Sequence, residues 1–270
     1  DIINEMASLS FFAGEEIMKF YPNKIVSEKK DDFSPVTEAD RASDKLICDR
    51  LEKKFPEILC ISEESYKSKN LTKISDIFFL IDPLDGTKEF IEKNDEFTVN
   101  IALIINNKTE LGVIYAPAKR ELYYTNNEKK SYQLNLNSIE NDVKLENSKQ
   151  IHVSNEKKYL ISTTSRSHNN EKTDNYLKNY KIKDKIICGS SLKFCLIANG
   201  TADIYPRLGP TCEWDTAAGH AILNGAGGSL KKLNGDNFLY GKLDKDFLNP
   251  EFIATLSLIH ISEPTRRTPI

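Results

Sequence analysis

The stretch IFFLIDPLDGTKEF, residues 77–90, constrains the fold of this chain more than any other. Its five leading apolar residues are too few for a buried helix and read as a buried strand. That strand runs straight into Asp82-Pro83-Leu84-Asp85-Gly86-Thr87. Asp, Pro and Gly are ordinary turn residues, so the plain reading is a strand followed by a tight turn. The sharper reading is a strand that holds two carboxylates still around a cation.

Two carboxylates three residues apart, fixed by Pro83 and released by Gly86, converge readily on one hard ion, and the Leu84 carbonyl between them is a further oxygen ligand. Magnesium asks for such oxygen ligands and keeps positions open for water and phosphate. Beyond the pair, Gly86-Thr87 opens a short helix, TKEFIEK, whose unpaired N–H groups and positive dipole end form a phosphate cradle. Metal ligands and an anion site within one short segment point to phosphate chemistry. A haloacid-dehalogenase-type phosphatase uses the spacing D-x-D with the first Asp as nucleophile, whereas this chain has D-x-x-D. An EF-hand is excluded by the absence of ligands at alternate positions and of a terminal Glu.

Two further acidic clusters stand at predicted strand ends or helix starts: Ser62-Glu63-Glu64-Ser65 after ILCI, and Asp215 in WDT at the start of a small-residue helix. Taken alone, Glu63 and Glu64 read equally as loop residues, and Asp215 as a residue favoured by the helix dipole. Residues 3–21 carry helical spacing. A second helix follows PVTEAD, where Thr37 and Asp40 have the form of a capping box and Pro56 ends the pattern. ILCIS and IFFLI are strands, and FTVNIALII, ELGVIYAP and ELYYT form an antiparallel meander. Residues 126–150 are polar and poor in core residues, which predicts a lobe boundary or an exposed excursion there. Strand–helix alternation follows, giving two sheets with helices on several faces. The expected division is 1–125 and 126–254. Residues 255–270 break the style of what precedes them and read as a vector-derived tail, and the chain opens DIINEM inside a helical pattern without an initiator Met.

Net charge is −3 over 270 residues, with no basic footprint for a nucleic-acid polymer. Five scattered cysteines without CxxC spacing argue against zinc and against a disulfide framework, and fit a reducing cytoplasm. No apolar run approaches the ~20 residues that cross a bilayer, which leaves peripheral association with the inner membrane face as the remaining membrane role.

The motifs DPLDGTKEF, SEES, PVTEAD and EWDTAAGHAIL together resemble the magnesium-dependent, lithium-sensitive inositol monophosphatase superfamily. Within it, DGTKEFIEKNDEFTVNIALI, SRSH and GSSLKFCLIANGTADIYPRLGPTCEWDTAAGHAI look like the bacterial CysQ-type 3'(2'),5'-bisphosphate nucleotidases, and the likeness runs from about residue 5 to 254. The resemblance implies an α/β fold layered as an αβαβα sandwich, with two or three Mg²⁺ between the lobes. It implies Glu63, rather than Glu64, as a metal ligand, with Asp82 bridging two ions, the Leu84 carbonyl on one, and Asp85 and Asp215 on the second. It implies that Asp40 and Thr87, with Glu63, activate the attacking water, a role Asp40 would hold beside or instead of its capping one. The implied substrate is 3'-phosphoadenosine 5'-phosphate, cleaved to AMP and phosphate, by a monomer or homodimer.

On the substrate side, Leu84, Asp85, Gly86, Thr87 and Asp215 would meet the phosphate, and Gly189-Ser190-Ser191 the sugar. Ser190 also reads as a helix N-cap. Lys193 and His168 would meet the second phosphate, although His168 in a polar loop is otherwise an ordinary surface histidine. Arg207 is left between a structural role and an anion contact, Trp214 reads as core packing, and His220 as a satisfied buried histidine. An inositol monophosphatase or broad sugar phosphatase is the alternative activity. A non-catalytic metal- or nucleotide-binding regulator is disfavoured because every implied ligand is present.

Overall fold

The computed structural model of the protein describes residues 1–30, 35–137, 142–155 and 158–256. Helix α1 (Ile2–Phe20) leads into the hairpin β1 (Ser27–Lys29) and β2 (Pro35–Thr37), then α2 (Glu38–Lys54). The predicted capping box forms: Thr37 Oγ1 accepts from the Ala39 N–H, and Asp40 Oδ2 from the Thr37 N–H at 2.8 Å. Strands β3 (Leu59–Ser62) and β4 (Ile77–Asp85) pair in parallel, and the short helix α3 (Thr87–Ile91) follows β4 directly. The meander β5 (Thr98–Ile105), β6 (Lys108–Ala116), β7 (Glu121–Thr125), β8 (Ser131–Asn135) and β9 (Lys149–Gln150) completes a seven-stranded sheet ordered as in sequence. The second sheet has five strands: β10 (Leu160–Ser165), β11 (Ile182–Cys188), β12 (Ile204–Arg207), β13 (Ser229–Lys232) and β14 (Phe252–Thr255), in the order β11-β10-β12-β14-β13. Between them run α4 (Glu171–Leu177), α5 (Leu192–Ala198) and α6 (Glu213–Gly225).

Both faces of β4 are buried, which is why IFFLI is continuously apolar rather than alternating. Phe79 and Ile81 face a core shared with α1 and α2, while Phe78 and Leu80 face a second core that α5 and α6 fill between the sheets. In the small sheet, Tyr205 and Phe252 point to that same inner core. Ile204 and Ile253 point away, onto Leu177 of α4. The layers therefore read α, β, α, β, α, as expected. Gly112 lets the middle layer approach the large sheet, since a Cβ there would lie 2.5 Å from the Ala218 carbonyl oxygen of α6.

The polar stretch 126–150, expected as a boundary or excursion, instead carries the large sheet on to Gln150. β8 and the two-residue β9 finish this side of the sheet with little buried apolar surface, so few apolar residues suffice. Leu134 and Leu136 reach the α1/α2 core, and Tyr132 stacks on Tyr124 with ring centroids 5.4 Å apart. Strands β8 and β9, residues 131–135 and 149–150, thus belong to the large sheet. At the other end Thr255 closes β14 and the Leu256 N–H donates to the Asp203 carbonyl at 3.0 Å. The fold thus includes the first two residues of the expected tail, and residues 257–270 lie outside the described residues. Among the described residues no helix is long and apolar enough to cross a membrane.

Candidate active site

The two aspartates of β4 share a face because the strand is irregular. Side chains alternate along a strand, so residues three apart should point to opposite faces. Here Asp82 pairs with Asn100 and Asp85 with Thr98, one extra residue on the β4 side. That β-bulge restores the parity. Leu84 consequently turns into the α1/α2 core, and both carboxylates line one cavity of about 500 Å³. Pro83, with no N–H to place in a ladder, suits the bulge, and its carbonyl accepts from the Ser43 hydroxyl of α2 at 2.7 Å. Asp82 Oδ1 accepts the Leu84 N–H at 3.2 Å, and Asp85 Oδ2 accepts from the Ser191 N–H at 2.6 Å and from Asn100 Nδ2 at 3.2 Å.

Gly86, at φ +89°, turns the chain from the strand into α3 and sets Thr87 at the helix start. Thr87 Oγ1 donates to Asp40 Oδ1 at 3.0 Å. Asp40 therefore caps α2 with one oxygen and orients Thr87 with the other. Asp215 occupies the same position in α6 that Asp40 does in α2, with Oδ2 accepting the Cys212 N–H at 2.8 Å. Glu63 leaves the end of β3 with its N–H on the Ile81 carbonyl at 3.1 Å. Lys30, at the end of the β1 arm, donates to Glu63 Oε1 at 2.8 Å and also to Glu64.

Glu63, Asp82 and Asp215 bring one oxygen each to within 4.8 Å of one another. Burial above all, then the charges of Glu63, Asp85 and Asp215, holds the Asp82 carboxyl well above the usual carboxylate range. Burial pushes Asp85 up to about 6, against the pull of Lys193. Asp215 is pushed up to about 8 by burial and by the charges of Asp85 and Glu63. Burial also dominates in Asp40, which is raised although Thr37 and Thr87 donate to it. Glu64 is pushed up to about 7 by burial and by Glu63. Burial alone would lower Lys30, but Glu63 and Glu64 outweigh it and hold its ammonium above the ordinary value. A divalent cation relieves this repulsion, and an all-oxygen donor set without nitrogen or sulfur suits magnesium.

Lys88, His168, Lys193 and Arg207 line the same cavity. Lys193 is buried, lies 5.3 Å from the Tyr205 ring centroid and donates to the Cys188 carbonyl at 3.3 Å. Arg207 donates to the His168 carbonyl at 3.1 Å and the Pro210 carbonyl at 2.9 Å, so it shapes the loop carrying His168 while lining the cavity. Partial desolvation, with the charges of Arg207 and Lys88, pushes the His168 imidazole down to about 4.

Of Gly189-Ser190-Ser191, Ser190 lines the cavity, at φ +49°. Gly189 donates from its N–H to Glu96 at 2.8 Å, and Ser191 is the buried N-cap residue of α5, tied to Asp85, Asn100 and Thr98. Trp214 is buried against Phe247 and Tyr66 and also lines the cavity. His220 is buried against the Tyr240 hydroxyl, 3.0 Å from Nδ1, and pushed down to about 3 by burial.

Three contributors escaped the sequence reading. Lys30 sits in the charged run SEKKDD, which reads as solvated. Glu89 is buried at the cavity wall, where Oε1 accepts from Ser167 at 2.5 Å; its place one turn into TKEFIEK was the available signal. Leu248 belongs to a loop with no motif of its own.

The chain is similar to the 3'(2'),5'-bisphosphate nucleotidase CysQ of Salmonella typhimurium, at 40% identity over 257 residues covering 94% of this chain and 100% of that protein. The CysQ nucleotidase of Buchnera aphidicola is 41% identical over 260 residues, 94% of this chain and 93% of that one. Among solved structures, CysQ from Bacteroides thetaiotaomicron, described as a bacterial member of the inositol monophosphatase family, superposes with a TM-score of 0.76 at 36% identity, covering 94% of this chain and 96% of that one. The model of the inositol monophosphatase family matches residues 2–260, and the chain belongs to that family.

Proposed function

We propose that this protein is a 3'(2'),5'-bisphosphate nucleotidase, a metal-dependent phosphomonoesterase that hydrolyses 3'-phosphoadenosine 5'-phosphate to AMP and phosphate. One observation carries the reading: the carboxylates of Glu63, Asp82 and Asp215 and the Thr87–Asp40 pair adjoin one cavity that Lys88, His168, Lys193 and Arg207 also line. The near full-length similarity to CysQ nucleotidases supports the choice of substrate. Glu63, Asp82 and Asp215 would hold Mg²⁺, with Asp85 and the Leu84 carbonyl as further ligands. Magnesium bound there would neutralise charge on the phosphoryl oxygens and raise the acidity of water at the site.

The chain's own groups supply the rest. The Thr87 hydroxyl gives its hydrogen to Asp40, so its lone pairs are left to accept one from the attacking water. The proton then passes from water to Thr87 Oγ1 while Thr87 hands its own to Asp40 Oδ1. As the water oxygen bonds to phosphorus the bond to the 3' oxygen breaks, that oxygen takes a proton from solvent, and Asp40 later returns its own to solvent. Burial makes Asp40 a stronger base for that purpose. The first-turn N–H groups of α3, beside Thr87, would be open to the same phosphate. Lys193, His168 and Arg207 take the second phosphate, which a monophosphate lacks. All five cysteines are free thiols, four of them buried, which suits action in a reducing cytoplasm.

Phosphate release tests this. With Mg²⁺ the protein should turn over 3'-phosphoadenosine 5'-phosphate with a higher kcat/KM than inositol monophosphate or AMP. Equal or greater efficiency on inositol monophosphate would instead make it an inositol monophosphatase.

A further inference from the structure

We propose that Leu248 is the specificity-determining contact for the nucleobase, an apolar shelf at the cavity mouth on which a purine lies. The inference rests on the nucleotidase reading and goes beyond it, because the groups assigned so far recognise phosphates and leave the base unread. Leu248 is 48% exposed, and among the described residues it is the one strongly exposed large hydrophobic side chain that also lines this cavity. Pro210, Thr211 and Cys212, the segment to which the Leu248 backbone is fastened, line the same cavity.

The backbone holds that side chain out deliberately. Leu248 is bridged antiparallel to Cys212, the Phe247 carbonyl accepts the Glu213 N–H at 2.9 Å, and the Asn249 N–H reaches the Thr211 carbonyl at 2.9 Å. Asn249 Nδ2 adds bonds to the Cys212 carbonyl at 2.6 Å and to Thr216 Oγ1 at 3.0 Å. From the other end of the loop, the buried Glu213 carboxylate accepts the N–H groups of Gly241 and Lys242 at 2.6 and 2.9 Å. The loop is thus fastened to the first turn of the helix that carries Asp215.

Asp246 and Phe247 have φ of +50° and +58°, a conformation bulky residues rarely adopt. Phe247 is fully buried against Trp214 and Tyr66. Strain persists where surrounding structure over-determines it, and such positions cluster at functional sites. Here it turns the chain so that Phe247 points in and Leu248 points to the cavity. An exposed leucine on a rigid mount gains from being covered by a flat apolar face. A purine offers one; a phosphorylated polyol presents hydroxyls all round.

The test compares 3'-phosphoadenosine 5'-phosphate with methyl riboside 3,5-bisphosphate, which keeps both phosphates and lacks the base, on the intact chain with Mg²⁺. Leu248→Ser should raise KM for the nucleotide about tenfold more than for the base-free ester, with the loss in KM rather than kcat. Leu248→Met should restore most of the nucleotide's kcat/KM. Equal losses on both substrates would mean that the loop merely supports Asp215, and no loss on either that Leu248 touches nothing; each overturns the inference. If the wild-type protein handles both esters alike, the base is not read and the inference also falls, with the phosphatase reading intact. Wild-type activity on inositol monophosphate and neither bisphosphate would identify the nucleotidase reading itself as the error.

Discussion

Asp40 shows how one carboxylate serves two masters. In the sequence its position three after Thr37 reads as a capping box, and the family resemblance implies a water-activating role that can stand beside it. The structure gives the carboxylate two partners, Oδ2 bonding Thr37 and Oδ1 bonding Thr87. The cap was legible, since it depends on residues three apart. The bond to Thr87 was not, since it joins residues 47 apart. Removing the Thr87 hydroxyl tests the relay while leaving the cap in place. Thr87→Val should lower kcat at least about 100-fold, the usual scale for positioned proton transfer, and should cost about 1 kcal/mol of stability through the lost bond. Thr87→Ser should keep most of the activity. Steady-state rates beside thermal melts check this, and a valine variant with near-normal kcat would remove Thr87 from the proton path.

At the scale of elements, what the sequence showed best were strands and helices buried on both sides or strongly periodic. IFFLI, the meander and α6 fall where their patterns place them. Two things were hidden. Strand β8 and the edge strand β9 bury too little to stand out in a polar stretch. The bulge in β4 is invisible to a period-2 reading, which would send Asp82 and Asp85 to opposite faces; Pro83 was its one local sign. The middle layer depends on a third device, the absence of a side chain at Gly112 under α6. Gly112→Val would drive Cβ into the Ala218 carbonyl, 2.5 Å away, and lift the helix that carries Asp215. Overpacking of this kind costs typically about 1–3 kcal/mol. A lower urea midpoint together with a higher Mg²⁺ concentration for half-maximal activity is expected. A variant that loses stability but keeps its Mg²⁺ requirement would show that α6 placement does not set the metal site.

Across the whole molecule, the site is a meeting of carboxylates from both sides of the layer interface. Glu63 and Asp82 come from the large sheet and Asp215 from α6. Three acidic clusters were visible in the sequence, but their convergence is a property of the packed layers. That convergence couples folding to proton uptake. Asp215 is pushed up to about 8 when folded and returns to about 4 when unfolded. In metal-free protein the folded state therefore keeps a proton that the unfolded chain has lost throughout that window. Stability from this group is greatest near the lower limit and falls as pH rises toward the upper one. Asp85, pushed up to about 6, adds to the same slope over its lower part. Asp215→Asn keeps an acceptor for the Cys212 N–H and removes the titration. In chelator, its advantage in melting temperature over the wild type should widen as pH rises from ~5 to ~8. On the proposed ligand assignment Mg²⁺ should reverse the order, since it would bind the wild-type carboxylates in the folded state alone and add stability by mass action. Melting curves across pH, with chelator and with Mg²⁺, decide the matter. An advantage that stays constant or shrinks with rising pH would mean that the three carboxylates do not strain the metal-free fold, and that no cation is needed to balance them.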